Sequence, residues 1–252
     1  MINEKLIKDN LINKNIDIVI KETTASTNDD VKSFVGASKL AVVIAENQTK
    51  GRGRNNRSFY SPSAKGVYMS ILLTPNLSVT DGVKITTFVA VAVANAVEKV
   101  SGLKVGIKWV NDLFINGKKV CGILTESGVD FKNKKLSYAV CGIGINCYGL
   151  DFPSEISTIA TSIEKEGAKI DRNLLIAEIL NNLSNIESQV LNGKYLEEYK
   201  NRCILLNREV TVVSGQDEYT AIAKDITESG ALIVDKNGEL LTVNSGDVSI
   251  RI

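Results

Sequence analysis

The chain has 252 residues, 44% of them hydrophobic and 23% charged, with a formal net charge of +1. That length can bury a sizeable core, as one large domain or a large one beside a small one. The near-zero charge excludes a global electrostatic pull toward nucleic acid or anionic membrane. Histidine is absent, which removes Ser-His-Asp and Cys-His nucleophilic catalysis, histidine metal sites and imidazole acid–base chemistry. Chemistry must therefore rest on Arg, Lys, carboxylates, backbone amides or a bound metal.

Met1 to Asn15 reads as a short polar helix, with apolar residues at Leu6, Ile7, Leu11 and Ile12. Asp17 to Lys21 is a predicted strand, and Ser26 or Thr27 is placed to cap the helix that follows. Leu40 to Ala45 is a buried strand leading into ENQTKGRGRNNR, Glu46 to Arg57. Between Asn47 and Thr80 there is no Asp or Glu, against five Lys or Arg. Alternating glycines bring backbone N–H groups close to a ligand, and arginines add forked donors suited to phosphate or carboxylate. This turn calls for an anionic ligand.

Gly66 to Thr74 is a further strand and Gly82 to Val100 a long apolar helix. Strand segments Val105–Trp109 and Leu113–Ile115 flank Lys108-Trp109-Val110-Asn111-Asp112, and Asn116-Gly117 signals a hairpin. Returning strands run from Lys119 to about Glu126 and from Leu136 to Cys147. Helices are predicted over Ser154–Glu166, Asp171–Leu191 and Tyr195–Arg202. From about Leu205 the texture changes to short strands with turns at Ser214-Gly215, Ser229-Gly230, Asn237-Gly238 and Ser245-Gly246. That stretch has eight acidic and four basic residues, and reads as a small β-barrel. The fold class is α+β, with a mixed, largely antiparallel sheet. We divide the chain into a ligand-binding domain over 1–204 and a barrel over 205–252.

Ordinary nucleotide motifs fail. No GxxxxGK[ST] occurs, and GxGxxG breaks at Asn56 after Gly51-Arg52-Gly53 and at Cys147 after Gly142-Ile143-Gly144. Cys121, Cys141, Cys147 and Cys203 lack CxxC spacing and read as buried free thiols. No signal peptide is visible, and the apolar stretch Phe88–Val97 is too short to span a bilayer. A cytoplasmic location is expected.

Five stretches together resemble the biotin protein ligases (biotin–[acetyl-CoA carboxylase] ligases), in that family's order and spacing. They are Ser26-Thr27-Asn28, Gln48 with Gly51-Arg52-Gly53-Arg54, Lys108 to Leu113, Lys119 with Gly122-Ile123-Leu124, and Gly142 to Asn146. The resemblance covers essentially the whole chain, the barrel matching the family's SH3-like domain, and implies a class II synthetase-like catalytic fold. It implies that biotin and ATP form biotinyl-5′-AMP, with Mg²⁺, and that biotin then passes to a lysine of a biotin carboxyl carrier protein.

The resemblance places Ser26, Thr27, Asn28 and Gln48 around the biotin head, with Leu124 and glycines 51, 53, 122, 142 and 144 close to the ligand. Arg54 and Lys119 form a two-cation clamp at the carboxylate and α-phosphate. Arg52 belongs to the closing loop. Arg57, Lys108, Trp109, Asn111 and Asn146 face the nucleotide. Asp112 either handles Mg²⁺ or deprotonates the incoming lysine. Taken singly, Lys119 reads equally as a solvated hairpin lysine, Trp109 as core, Arg52 and Arg57 as surface charges, and Gly142–Asn146 as a bulge.

This sequence departs from the pattern at Val110, where the family commonly has Pro, and at Asn55-Asn56, where many members have Arg-Gly. Only 25 residues precede Ser26, so DNA-binding repressor activity is not expected. A monomer and a homodimer are both compatible. The alternatives are a lipoate–protein ligase, which shares the adenylation logic, and a nucleic-acid-binding module, opposed by the acidic barrel and the scarcity of aromatics near the loop. The glycines of the basic loop further predict a lid, disordered without ligand and closed over the adenylate.

Overall fold

The short β-branched runs with no charge inside them form the central strands, covered on both faces. The computed structural model describes every residue except 38, 39, 56, 150, 215, 216, 245–247 and 252, and the backbone alone at 248–251. Seven strands form the large sheet: β1 (Asp17–Thr24), β2 (Leu40–Gln48), β3 (Gly66–Leu73), β4 (Gly106–Lys108), β5 (Asp112–Ile115), β6 (Lys118–Asp130) and β7 (Lys135–Asn146). Their order is β1-β2-β3-β7-β6-β5-β4. The β1–β2 pair is parallel and the others are antiparallel. Every residue of β3 is buried, as expected for a central strand covered on both sides.

Helix α1 spans Glu4–Asp9, α2 spans Thr27–Val31 and α3 spans Gly82–Ser101. Valines and threonines make α3 a poor helix former by propensity. Burial compensates: Ile85, Val89, Val93, Ala96 and Val97 are fully buried against the large core. The helix ends at Gly102, whose φ of 72° is the left-handed cap that glycine adopts without a steric cost.

The second sheet contains β8 (Glu209–Ser214), β9 (Asp217–Ile226), β10 (Leu232–Lys236), β11 (Glu239–Val243) and β12 (Val248–Arg251), ordered β11-β10-β9-β8-β12. Turns at Gly230 and Asn237-Gly238 carry positive φ, as their sequences demand. Gly215 and Ser245-Gly246 lie outside the described residues. The α+β architecture and the small SH3-like sheet match expectation, and no helix among the described residues is long and apolar enough to cross a membrane.

Three helical expectations need correction. Ser154–Glu166 forms a chain of turns instead of a helix. Its backbone is claimed by the sheet: the Lys119 amide donates to Ile159 O at 2.8 Å, Thr161 N–H to Lys119 O at 2.9 Å and Ile163 N–H to Asn146 O at 3.0 Å. Asp171–Leu191 is broken into α4 (Arg172–Asn182) and α5 (Ile186–Asn192) by Asn185 at φ 59°. Asp171 does cap α4, accepting from Asn173 N–H at 2.7 Å. The N-terminal helix shrinks to α1, which buries Ile7 but leaves Leu6 exposed, with Ile12 exposed beyond its end. Helix α6 covers Tyr195–Arg202 as expected.

Candidate active site

The floor of the site is a patch of sheet stripped of side chains. Gly142 of β7 lies between Ser70 of β3 and Leu124 of β6, and Gly144 between Tyr68 and Gly122. Pairing is regular through this patch, with the only β6–β7 irregularity at Gly128/Val129, so no bulge explains the glycines. A Cβ on Gly142 would collide with the Asn28 carboxamide, and one on Gly144 would stand 2.5 Å from the Phe59 ring. The close approach these glycines permit is taken by protein groups here, Asn28 at one end and Phe59 at the other.

Over this floor α2 delivers three small polar residues, Ser26, Thr27 and Asn28, each 4% exposed or less. Ser26 holds the N-cap position but makes no capping hydrogen bond. Thr27 donates its backbone N–H to Gln48 Oε1 at 2.9 Å, with its hydroxyl 3.1 Å from the same atom. Gln48 ends β2, and its amide nitrogen reaches Ser61 Oγ at 3.4 Å.

The basic loop doubles back on itself. Phe59 N–H donates to Gly51 O at 2.9 Å and Gly53 N–H to Arg57 O at 2.7 Å. Gly51 is required by the turn, since a Cβ would meet Phe59 O at 2.6 Å. It lies outside the cavity lining, apart from the other expected ligand contacts. Arg54 reaches across to Asn111 Oδ1 at 3.2 Å. Asn55 lines the cavity, whereas Asn56 lies outside the described residues.

The opposite wall is the β4–β5 connection. Asn111 is pinned by its carboxamide to Ile123 O at 2.7 Å, and Tyr199 of α6 donates to Val110 O at 3.1 Å. The Trp109–Val110 peptide is cis. Trp109 is 4% exposed, so it is core and cavity wall at once, and its indole donates to Gly230 O at 2.9 Å. That bond runs to the β9–β10 turn of the small sheet, a link with no local sequence signal.

These elements enclose a cavity of about 290 Å³. It brings together every expected site residue except Gly51, including Ser26, Gly53, Arg57, Lys108 and Leu124. Sequence reasoning missed Phe59, Tyr60 and the 152–160 segment, whose Phe152, Ile156 and Ile159 also line it. An aromatic pair directly after the arginines was the available signal for the first two.

The charges are one-sided. Among the described lining residues Arg52, Arg54, Arg57, Lys108 and Lys119 face a single carboxylate, Asp112. Burial pushes the Arg54 pKa down, with Asp112 opposing it and Arg57 adding to it. Burial likewise pushes Lys108 down, against the pull of Asp112. Concentrated, partly desolvated positive charge is costly without an anion. Lys119 Nζ lies 2.7 Å from Asp112 Oδ1, yet that oxygen has no aligned hydrogen bond. Buried Asn146 Oδ1 also has no partner, although its amide nitrogen donates to Thr161 O at 3.0 Å. Both residues line the cavity.

No group of three or more Cys, Asp or Glu among the described residues could by itself hold a metal. A divalent cation carried on phosphates needs less, because Mg²⁺ commonly takes one carboxylate plus phosphate and water. Asp112, with its unaligned Oδ1, fits that requirement.

The fold and the site together define a class, and the comparisons state it directly. The biotin/lipoate A/B protein ligase family matches residues 18–146 and the biotin protein ligase C-terminal domain matches residues 205–251. The chain belongs to the biotin/lipoate A/B protein ligase family. It is 30% identical to the biotin–[acetyl-CoA-carboxylase] ligase of Mycobacterium tuberculosis, covering 98% of this chain and 95% of that one. It is 40% identical over 145 residues to the bifunctional ligase/repressor BirA of Bacillus subtilis, a match spanning 45% of that relative's length. Among solved structures it is similar to the Aquifex aeolicus biotin protein ligase in complex with biotin and ATP. There the TM-score is 0.80 at 25% identity, covering 93% of this chain and 98% of that one.

Proposed function

We propose that this protein is an ATP-dependent biotin–protein ligase, forming biotinyl-5′-AMP and transferring biotin to a lysine of a biotin carboxyl carrier protein. One observation carries the reading: a single cavity over a glycine floor is lined both by the neutral polar groups Thr27, Asn28 and Gln48 and by five cations, Arg52, Arg54, Arg57, Lys108 and Lys119. A small acid with a polar neutral head suits the neutral groups. Its carboxylate and a triphosphate suit the cations.

In the first step a biotin carboxylate oxygen attacks the α-phosphorus of ATP and pyrophosphate leaves. Two anions must come within bonding distance, which is prohibitive without cations. Arg54 and Lys119 are the residues we assign to that task. The Asn111 contact fixes Arg54 in place in advance, so little reorganisation is needed as charge develops. Bound Mg²⁺ would neutralise phosphate charge, with Asp112 as the carboxylate that holds it. In the second step the lysine amine attacks the acyl carbon and AMP leaves. The basic loop serves as the lid that keeps water from the mixed anhydride. We assign catalysis to residues 1–204 and the supporting SH3-like domain to 205–252, which braces Trp109 through Gly230.

The test is incubation with ATP, Mg²⁺, biotin and a carrier domain, followed by mass spectrometry of the carrier. Covalent biotin on its lysine is expected. A lipoyl adduct formed from lipoate in preference to biotin would overturn the assignment.

A further inference from the structure

Glu126 was not among the expected site residues, and it lies outside the cavity lining on β6. Three donors converge on it. Asn28 Nδ2 donates to Oε2 at 2.6 Å, Lys32 Nζ to Oε1 at 3.2 Å, and Arg52 Nη2 lies 3.4 Å from Oε2. Arg52 is held more closely by Asp29, at 2.6 Å. Burial opposes the charge on Glu126, but hydrogen bonds from Asn28 and Lys32 and the nearby cations outweigh it and hold its pKa below the usual range.

A carboxylate can only accept, so the Asn28 nitrogen must face Glu126 and its oxygen must face inward. There it meets Ser70 Oγ at 2.6 Å, and Ser70 is fully buried. Asn28 Oδ1 cannot donate, so the single Ser70 proton is committed to it. Ser70 Oγ also lies 2.7 Å from Thr27 Oγ1. With the Ser70 proton spent, Thr27 Oγ1 receives none from Ser70, and its own proton has Gln48 Oε1 at 3.1 Å and Ser70 Oγ at 2.7 Å as acceptors. Gln48 Oε1 already accepts from the Thr27 amide. Lone pairs on Thr27 Oγ1 are then what this end of the cavity presents.

We propose that Glu126 is a positioning residue for ligand recognition, setting the direction of the hydrogen bonds along Asn28, Ser70 and Thr27 so that the pocket accepts from a ureido N–H. Through Arg52 it also ties this chain to the basic loop. The inference rests on the biotin reading above. Neutralising Glu126 releases the constraint, because a carboxamide at that position can donate as well as accept, and Asn28 can then reverse.

The experiment compares the wild-type protein with Glu126→Gln, Ser70→Ala and Asp29→Asn, measuring calorimetric affinity for biotin and for biotin methylated on a ureido nitrogen. Losing one such hydrogen bond is expected to weaken biotin binding about tenfold in Glu126→Gln. The methylated ligand, already deprived of that donor, should change little, so discrimination falls by the same factor. Ser70→Ala interrupts the chain without touching Glu126 and should do likewise. Asp29→Asn loosens Arg52, and Lys32 at 3.8 Å, without touching Glu126 or Asn28, and should preserve discrimination. Unchanged discrimination in both Glu126→Gln and Ser70→Ala would overturn the proposal, as would equal weakening for both ligands. A wild-type protein that failed to bind biotin would instead overturn the functional reading itself.

Discussion

Replacing Lys119 by Ala removes one of the two cations assigned to the carboxylate–phosphate junction. Losing a single preorganised donor to a developing anion costs about 2.7–4 kcal/mol, or roughly 10²–10³ in kcat. The structural cost is far smaller. The Lys119 and Asp112 side chains are 32% and 26% exposed, so their ion pair contributes at most about 1 kcal/mol to folding after solvent screening. In a chain of this size that moves Tm by about 2–4 °C. The strand itself stays anchored by the Lys119 backbone bonds to Ile159 and Thr161, which the substitution leaves intact. Lys119→Arg is the stricter comparison. It keeps the charge, but the ammonium stands over Gly122, 3.3 Å from where a Cβ would lie, and a guanidinium does not fit that space unchanged. We expect Lys119→Ala to lose at least a hundredfold, and Lys119→Arg to recover only a small part of that. The assay is biotin-dependent ATP–pyrophosphate exchange, run beside thermal unfolding of the same preparations. Near-normal exchange by a folded Lys119→Ala protein would refute the reasoning.

Gly142→Ala should push Asn28 from the floor and weaken biotin binding at least tenfold by calorimetry, while circular dichroism stays native. Trp109→Phe strands the buried Gly230 carbonyl, costing about 1–3 kcal/mol and lowering Tm by about 5 °C in a thermal melt. Burial would raise the Glu46 pKa, but hydrogen bonds from Arg172 and the Ile2 amide and the Arg172 charge prevail and hold it below 4.5. Its stabilisation is therefore complete above pH 4.5 and lost as pH falls through the lower folded value. Glu46→Gln, which leaves Arg172 buried without its partner, should cost about 3–5 kcal/mol at pH 7. That gap should narrow in urea unfolding at pH 3. If the basic loop is a lid, biotinyl-AMP should slow proteolytic cleavage within residues 49–58, and equal cleavage with and without it would count against closure.

Where the chain's own local chemistry was decisive, reading and structure agree. The Leu40–Ala45 run became a buried strand, Asn116-Gly117 turned with both φ values positive, and Asp171 capped its helix. The residues of the cavity were legible because each motif carries several polar or glycine positions that no core requires. Failures came where distant groups competed for the same backbone. Ser154–Glu166 has helical composition, but its amides and carbonyls found partners on Lys119 and Asn146, more than a dozen residues away in sequence. Glu126 was overlooked for a similar reason. A carboxylate gathering three donors is defined by what folding brings to it.

The basic loop marks the division. Composition alone marked it as a loop that needs a countercharge, because it carries Lys50, Arg52, Arg54 and Arg57 with no Asp or Glu from Asn47 to Thr80. Only the tertiary structure decided how its arginines are held. Arg52 turns to Asp29 and Glu126, while Arg54 turns to Asn111. Charge is a property of residues and can be counted along a chain. Hydrogen-bond direction depends on which donors and acceptors are packed together, and that is settled only when the sheet, α2 and the loop meet.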